Sequence, residues 1–190
     1  MELNSQILYS NGGGDEQYTP YYAVELIIPY IQHLKDKIIW CPCDKEESEF
    51  VKVLKENGFN VVNSHIDLGQ DFFTYQPEKF DVILTNPPYA NKRAFIERAE
   101  SFGKAWAFLL PISIINDSIL NDIFGDMSEM TCLIPDKRIR FFNKAKGEVG
   151  TQPTFKACYI GRNFFTKQMI GVKIPKGIHL SENIKNLTLF

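Results

Sequence analysis

Asn86-Pro87-Pro88-Tyr89, at the end of the apolar run Phe80-Asp81-Val82-Ile83-Leu84-Thr85, sets a side-chain amide, two ring-locked residues and an aromatic at the mouth of a candidate strand. Proline fixes φ and lacks an N–H, so the Pro87-Pro88 pair cannot continue a sheet and forms a stiff, extended corner. If the Asn86 side-chain oxygen and the Pro87 carbonyl face a common pocket, together they accept both hydrogens of an exocyclic amino group. The lone pair of an aromatic amine is delocalised into its ring, and two fixed acceptors favour the geometry in which that pair is available. Such preorganisation acts more on the transition state than on the ground state. Tyr89 adds a π face on which a planar base can stack, worth about 1 to 3 kcal/mol in nucleobase contacts. The bland reading is a Pro-Pro turn with Tyr89 as a rim aromatic.

Other chemically suggestive residues are individually ambiguous. Cys41-Pro42-Cys43 is one residue short of a zinc knuckle and no second His or Cys pair answers it, so no metal is expected. Asp71 in Gly69-Gln70-Asp71 either caps a turn or holds a ligand. Residues 137–176 carry ten basic residues against the single acid Glu148, although the whole chain has a formal charge of −2. Any polyanion binding therefore localises to the C-terminal part, and the alternative is a solubilising face.

The elements that must position these residues alternate along the chain. A helix is expected over residues 21–34, led by Thr19-Pro20 and exposed to a kink at Pro29, with further helices over 45–57 and 92–102. Strands are expected over 37–41, 60–66, 80–85 and 105–110, and later over 130–134, 138–142 and 155–160. This alternation with short connections predicts an α/β fold with a doubly wound, mostly parallel sheet and an antiparallel strand near the C-terminal end. Ligands bind such sheets beyond the carboxyl ends of the strands, where Asn86 lies.

At 190 residues and 44% hydrophobic content, one domain over residues 15–165 is expected, between a flexible segment 1–14 and a tail 166–190. No run reaches the ~18 to 20 apolar residues of a membrane span, and the polar N-terminus with Gly12-Gly13-Gly14 is no secretory signal. The expectation is a cytoplasmic protein with no membrane partner. Its four cysteines show no disulfide-like framework.

With these residues in view, the chain resembles the S-adenosylmethionine-dependent N6-adenine DNA methyltransferases of phage and restriction-modification origin, and the likeness covers roughly residues 12 to 162. Asn86-Pro87-Pro88-Tyr89 resembles their catalytic motif. Asp15-Glu16-Gln17-Tyr18-Thr19-Pro20 is similar to the N-terminal segment that caps the methionine end of the cofactor. Asp71-Phe72 resembles the acid and aromatic that hold its adenine, and Ala105-Trp106-Ala107-Phe108-Leu109-Leu110-Pro111 resembles the strand after the catalytic one. Lys137-Arg138-Ile139-Arg140-Phe141-Phe142, with Gly150-Thr151-Gln152-Pro153-Thr154-Phe155 behind it, looks like the segment whose aromatic packs on a flipped base.

The resemblance implies a Rossmann-like methyltransferase sheet. It also implies S-adenosylmethionine as cofactor, DNA as the foremost partner, and a homodimer or separate specificity subunit to read sequence. By the same likeness Asn86, Pro87, Pro88 and Tyr89 are catalytic. Tyr18, Thr19, Pro20, Pro42, Asp44, Ser64, Asp71 and Phe72 bind cofactor, while Tyr89, Arg140, Phe141 and Phe142 bind substrate. Transfer would be direct, onto an adenine extruded from the duplex. RNA adenine or a protein glutamine as substrate, and a decayed, non-catalytic nucleic-acid-binding domain, are the alternatives.

One departure stands out. The family's first motif is a glycine-rich turn, because the backbone there approaches the cofactor closely. Here Trp40-Cys41-Pro42-Cys43-Asp44-Lys45-Glu46-Glu47-Ser48 has no glycine, leaving Pro42 and Asp44 to present a carboxylate. At the end of the second strand Asn63-Ser64-His65 stands where a ribose-binding acid is expected, so Ser64 or His65 would take that role.

Overall fold

A computed structural model of the chain describes residues 17–143, 148–149 and 155–175. The expected flexible segment 1–14, Asp15-Glu16, Gly150 to Thr154 and the end of the expected tail lie outside the described residues.

Seven strands form one sheet: β2 (Ile38–Pro42), β3 (Asn60–Ser64), β4 (Val82–Thr85), β5 (Ala105–Pro111), β6 (Met130–Pro135), β9 (Ala157–Arg162) and β10 (Met169–Val172). Their spatial order is β10-β6-β9-β5-β4-β2-β3, and β9 alone runs antiparallel to its neighbours. The fold is thus a doubly wound, mostly parallel α/β sheet of Rossmann-like type, with its antiparallel strand near the C-terminal end. A second, three-stranded sheet joins β1 (Gln17–Tyr18), β7 (Phe142–Asn143) and β8 (Glu148–Val149).

Period-two alternation on the central strands feeds two cores, one on each face of the sheet. Ile39, Cys41, Val82, Leu84, Ala107, Leu109 and Tyr159 point to one, beneath α1 (Tyr21–Glu25) and α2 (Glu49–Glu56). Trp40, Ile83, Trp106, Phe108, Leu110 and Ile160 point to the other, beneath α3 (Lys92–Ser101) and α4 (Ser118–Phe124). Both faces being covered explains why these strands read as unbroken apolar runs. Ser48 caps α2 by accepting from the Val51 N–H at 3.4 Å, and Gly58 and Gly103, at φ +73° and +61°, follow α2 and α3 as left-handed stops.

Several expectations change in detail. The helix expected over 21–34 is a five-residue helix followed by 3₁₀ turns at Ile28–Tyr30 and Gln32–Leu34, because Pro29 lacks the N–H an α-helix needs. The strand expected over 138–142 shortens to Phe142–Asn143. The expected tail contributes an edge strand, since Met169–Val172 pairs with Cys132–Pro135 of β6. No described helix is long and apolar enough to cross a membrane.

Candidate active site at the strand ends

The chain leaves β2 for β3 on one side and reaches β4 on the other, so the carboxyl ends of β2 and β4 border the switch point of the sheet. Pro42 to Asp44 follow β2, and Asn86 to Tyr89 follow β4. Six bonds or ring contacts tie distant segments together at and around this corner. The Asn86 amide Nδ2 donates to Thr19 Oγ1 at 3.1 Å. Thr85 Oγ1 bonds both the Pro42 carbonyl and, at 2.6 Å, Asp44 Oδ2. Tyr89 meets Phe141 and Phe155 edge-on, with centroids 6.5 and 5.4 Å apart. The Arg140 N–H donates to the Tyr22 hydroxyl at 2.7 Å.

The Thr19 bond holds the Asn86 amide about its last torsion, which leaves Oδ1 on the opposite side of the Cβ–Cγ axis from Nδ2. Thr19 and Pro20 are buried, whereas Tyr18 is 39% exposed and sits opposite Phe142 in the β1–β7 pair. The N-terminal segment and the late aromatic segment are therefore strand partners. Pro87 is buried, and Pro88 and Tyr89 are half-buried.

The glycine-free loop keeps a glycine-like backbone. Cys43 adopts φ +67°, the left-handed region that costs an L residue roughly 1 to 2 kcal/mol. The turn thus takes a left-handed residue without glycine. Cys43→Gly is expected to leave stability within about 0.5 kcal/mol, strain relief offsetting the greater chain entropy of glycine, while the β-branched Cys43→Val loses about 1 to 2 kcal/mol. Urea denaturation midpoints of the three proteins check this.

Asp44 is 7% exposed, and burial pushes its carboxyl up to about 7 against hydrogen bonds from Thr85 and Ser48 that pull it down. Proton geometry agrees with that direction. The single Thr85 hydrogen cannot serve both Pro42 O and Asp44 Oδ2, but a protonated Asp44 donates to Thr85 while Thr85 donates to Pro42. Tyr159, fully buried below, has its phenol pushed well up by burial, with Tyr89, Asp44 and Tyr22 as its charged-state neighbours.

A stability consequence follows. Between the ordinary value of 3.8 and about 7 the native state holds a proton that the unfolded chain has released, so ionising Asp44 lowers stability as pH rises through that window. A shift of that size corresponds to about 4 kcal/mol. Asp44→Asn is expected to match the wild type near pH 4 and to exceed it by about 2 to 4 kcal/mol at pH 8. The measurement is the difference between their unfolding free energies across that range.

Other expected site residues are placed differently. Ser64 is fully buried and its hydroxyl accepts from the Trp40 indole at 2.9 Å, so it locks β2 to β3 instead of facing a ribose. Phe72, 2% exposed, stacks on Phe95 at 5.5 Å and packs on Trp40 at 5.3 Å; it is a core ring, with no open face for an adenine. Asp71 Oδ1 accepts from the Phe73 N–H at 3.0 Å, the turn-capping role. His65 caps the next turn, its Nδ1 accepting from the Asp67 N–H at 3.1 Å. Phe141, 1% exposed, supports Tyr89 from behind, while Arg140 is exposed; only the backbone of Phe142 is described. Cys41 is fully buried, and no group of three potential metal ligands occurs among the described residues.

Thr85 and Tyr22 take part without having been singled out, and Phe155 was named only as the end of the late segment. Thr85 had a signal: it is the one polar residue at the end of an apolar strand, immediately before Asn86. Tyr22 had none beyond hydrophobicity.

No protein-family model matches the chain, and no curated protein sequence does. Among solved structures it is similar to a dimethyladenosine transferase from Plasmodium falciparum, at 14% identity over 77% of this chain and 62% of that one, with a TM-score of 0.46. It is also similar to a protein from Listeria monocytogenes described as a class I S-adenosylmethionine-dependent methyltransferase (12% identity, 96% and 74% covered, TM-score 0.49). A third is the tRNA (m1A58) methyltransferase from Aquifex aeolicus (14% identity, 83% and 74% covered, TM-score 0.41). Likenesses this remote carry no cofactor or substrate over to this chain.

Proposed function

We propose that the protein transfers a methyl group from S-adenosylmethionine to the exocyclic N6 amine of adenine in a polynucleotide, DNA foremost. What supports this reading is the closure of four separated segments on Thr85 to Tyr89 through Thr19, Asp44, Phe141 and Phe155. An ordinary Pro-Pro turn needs none of these ties. Asn86 Oδ1 and the Pro87 carbonyl accept the amine hydrogens, and Thr19 keeps the amide from rotating. Tyr89, braced edge-on by two phenylalanines, offers its face to the base.

The donor set fits the proposed cofactor: a buried Asp44 carboxylate at the β2 end suits an ammonium group, and the left-handed Cys43 turn suits close backbone approach. When bound, S-adenosylmethionine would supply an electrophilic methyl on a sulfonium. A nearby cation would also favour the ionised form of Asp44, so cofactor affinity is expected to rise with pH through about 7. Positioning of the amine carries the rest of the barrier reduction.

The test is incubation with methyl-labelled S-adenosylmethionine and, separately, duplex DNA, RNA and protein, followed by hydrolysis and identification of the labelled product. Label in N6-methyladenine from DNA is the expected result. Label in RNA or in glutamine reassigns the substrate. The absence of saturable cofactor binding by calorimetry overturns the enzyme reading in favour of a binding domain.

A further inference from the structure

We infer that the carboxyl-end rim running from β10 across β6, β9 and β5 to Tyr89 is a phosphate-binding track for the polynucleotide. The inference builds on the methylation reading and gives the substrate a direction of approach. Register places the rim. Pro135 of β6 pairs with Val172 of β10, and Pro111 of β5 pairs with Ala157 of β9, so these residues lie on the same edge of the sheet as Asn86. Cations follow within a few residues: Lys137 and Arg138 after Asp136 at the end of β6, Lys173 after β10, and Lys156 before β9, while Arg140 adjoins the Phe141 that braces Tyr89. All five are exposed.

Six of the cations elsewhere are neutralised. Lys45, Lys52, Lys55, Lys92, Arg93 and Arg162 each hold a carboxylate. None of the five rim cations forms an ion pair among the described residues. Asp136, the carboxylate beside Lys137, accepts from the Ile174 N–H at 2.8 Å and is turned to the backbone. On the opposite edge Lys37, Lys79 and Lys167 are also exposed and in no ion pair among the described residues, but the exposed acids Asp36, Glu78, Asp81, Asp126 and Glu129 stand along it. The excess of positive charge therefore lies on the rim, where Asp136 is the one described acid beside the five cations.

Adjacent strands lie about 4.8 Å apart, so the track from β10 to β4 is roughly 19 Å long, or about five to six nucleotide steps at a 3.4 Å rise. Unpaired, flexible lysines and arginines on such a line suit repeated phosphates, which position a nucleic acid without reading its sequence. A nucleic acid laid along it would reach the aromatic corner at the β4 end.

The experiment is fluorescence anisotropy of labelled 20-mer duplex DNA, single-stranded DNA and RNA against salt, without cofactor. It uses the full chain, the triple variant Lys137→Glu/Arg138→Glu/Lys173→Glu and the control Lys37→Glu/Lys79→Glu. The rim variant is expected to bind at least about tenfold more weakly than wild type at matched salt, with the log–log salt slope reduced by about 2 to 3. The control should stay within about twofold. The corresponding Gln variants, with urea midpoints for all proteins, separate lost charge from lost fold. Equal losses in rim and control variants, wild-type binding by the rim variant, or binding of wild type to polyglutamate in preference to every nucleic acid overturns the track. Failure of the methylation reading shows differently: rim-dependent binding without any methyl transfer leaves the track standing. Equal kcat/KM on oligonucleotide and free adenosine, indifferent to rim charge, removes the track and keeps the chemistry.

Discussion

Asn86→Ala is expected to lower methyl transfer by at least about a hundredfold while leaving cofactor affinity within about twofold of wild type. The magnitude is that of removing one preorganised hydrogen-bonding partner of a transition state. The Pro87 carbonyl would remain, but one acceptor cannot hold both amine hydrogens, and the nitrogen lone pair would lose its imposed direction. Stability should change little: the deleted side chain is half-buried and its 3.1 Å bond to Thr19 is a neutral contact, worth about 1 kcal/mol. Asn86→Asp gives the graded comparison. It keeps an acceptor oxygen, and the Thr19 hydroxyl can turn to donate to it, so Asp should retain more activity than Ala. Single-turnover rates with saturating cofactor, set beside calorimetric affinities, read the two effects separately. A variant transferring at the wild-type rate would remove Asn86 from the chemistry. Parallel losses of affinity and rate would place it in cofactor binding.

The parts of this site legible in the sequence are those whose chemistry is local. Asn86-Pro87-Pro88 announces a rigid acceptor corner because proline restricts its own backbone, and the apolar run before it announces a strand buried on both faces. The doubly wound sheet followed from the same local patterns. What was not legible depends on distance through space. The Thr19–Asn86 bond spans 67 residues, and Ser64 is taken by the Trp40 indole, a buried donor that needed a partner. Phe72 reads equally well as a ligand-facing ring or a core ring, and the five rings it meets, Trp40, Phe73, Phe95, Phe102 and Phe108, decide for the core. The loop at Cys43 shows the opposite failure: a composition rule asks for glycine, and the backbone takes the left-handed turn without it. β10 escaped notice because its four residues include Gly171 and an exposed Met169, which blur the alternation of a strand. α4 was missed despite a usable signal, Asp117 as N-cap accepting from Ile119 N–H ahead of buried Ile119, Leu120 and Phe124.

Gly161→Ala is expected to be the most damaging single methyl group that could be added to this fold. Gly161 lies in β9, opposite Ala107 of β5 on one side and Thr131 of β6 on the other, so it is held in a ladder on both edges. A Cβ built there would stand 1.7 Å from the Trp106 carbonyl oxygen and 2.6 Å from Ala107 Cα, both backbone atoms that no rotamer change can move. Relief requires β9 and β5 to separate by more than an ångström. The neighbouring residue resists that shift: Arg162 Nε donates to both Glu100 oxygens at 2.9 Å and its Nη2 donates to the Ile123 carbonyl at 3.0 Å. On the other strand Trp106 is fully buried among Phe108 and Phe124. Several ladder hydrogen bonds, at about 1 kcal/mol each, and part of that packing would be lost together. A cost of about 4 kcal/mol or more is therefore expected, close to the whole stability of a marginal domain. Gly171→Ala is the matched control, since a Cβ there has nothing within 4 Å and the position is exposed; it should be neutral or mildly stabilising. Soluble yield, far-UV circular dichroism and urea midpoints compare the two. If Gly161→Ala unfolds within about 1 kcal/mol of wild type, β9 does not pack against β5 in this register. The antiparallel strand that joins the two halves of the sheet would then need a different partner.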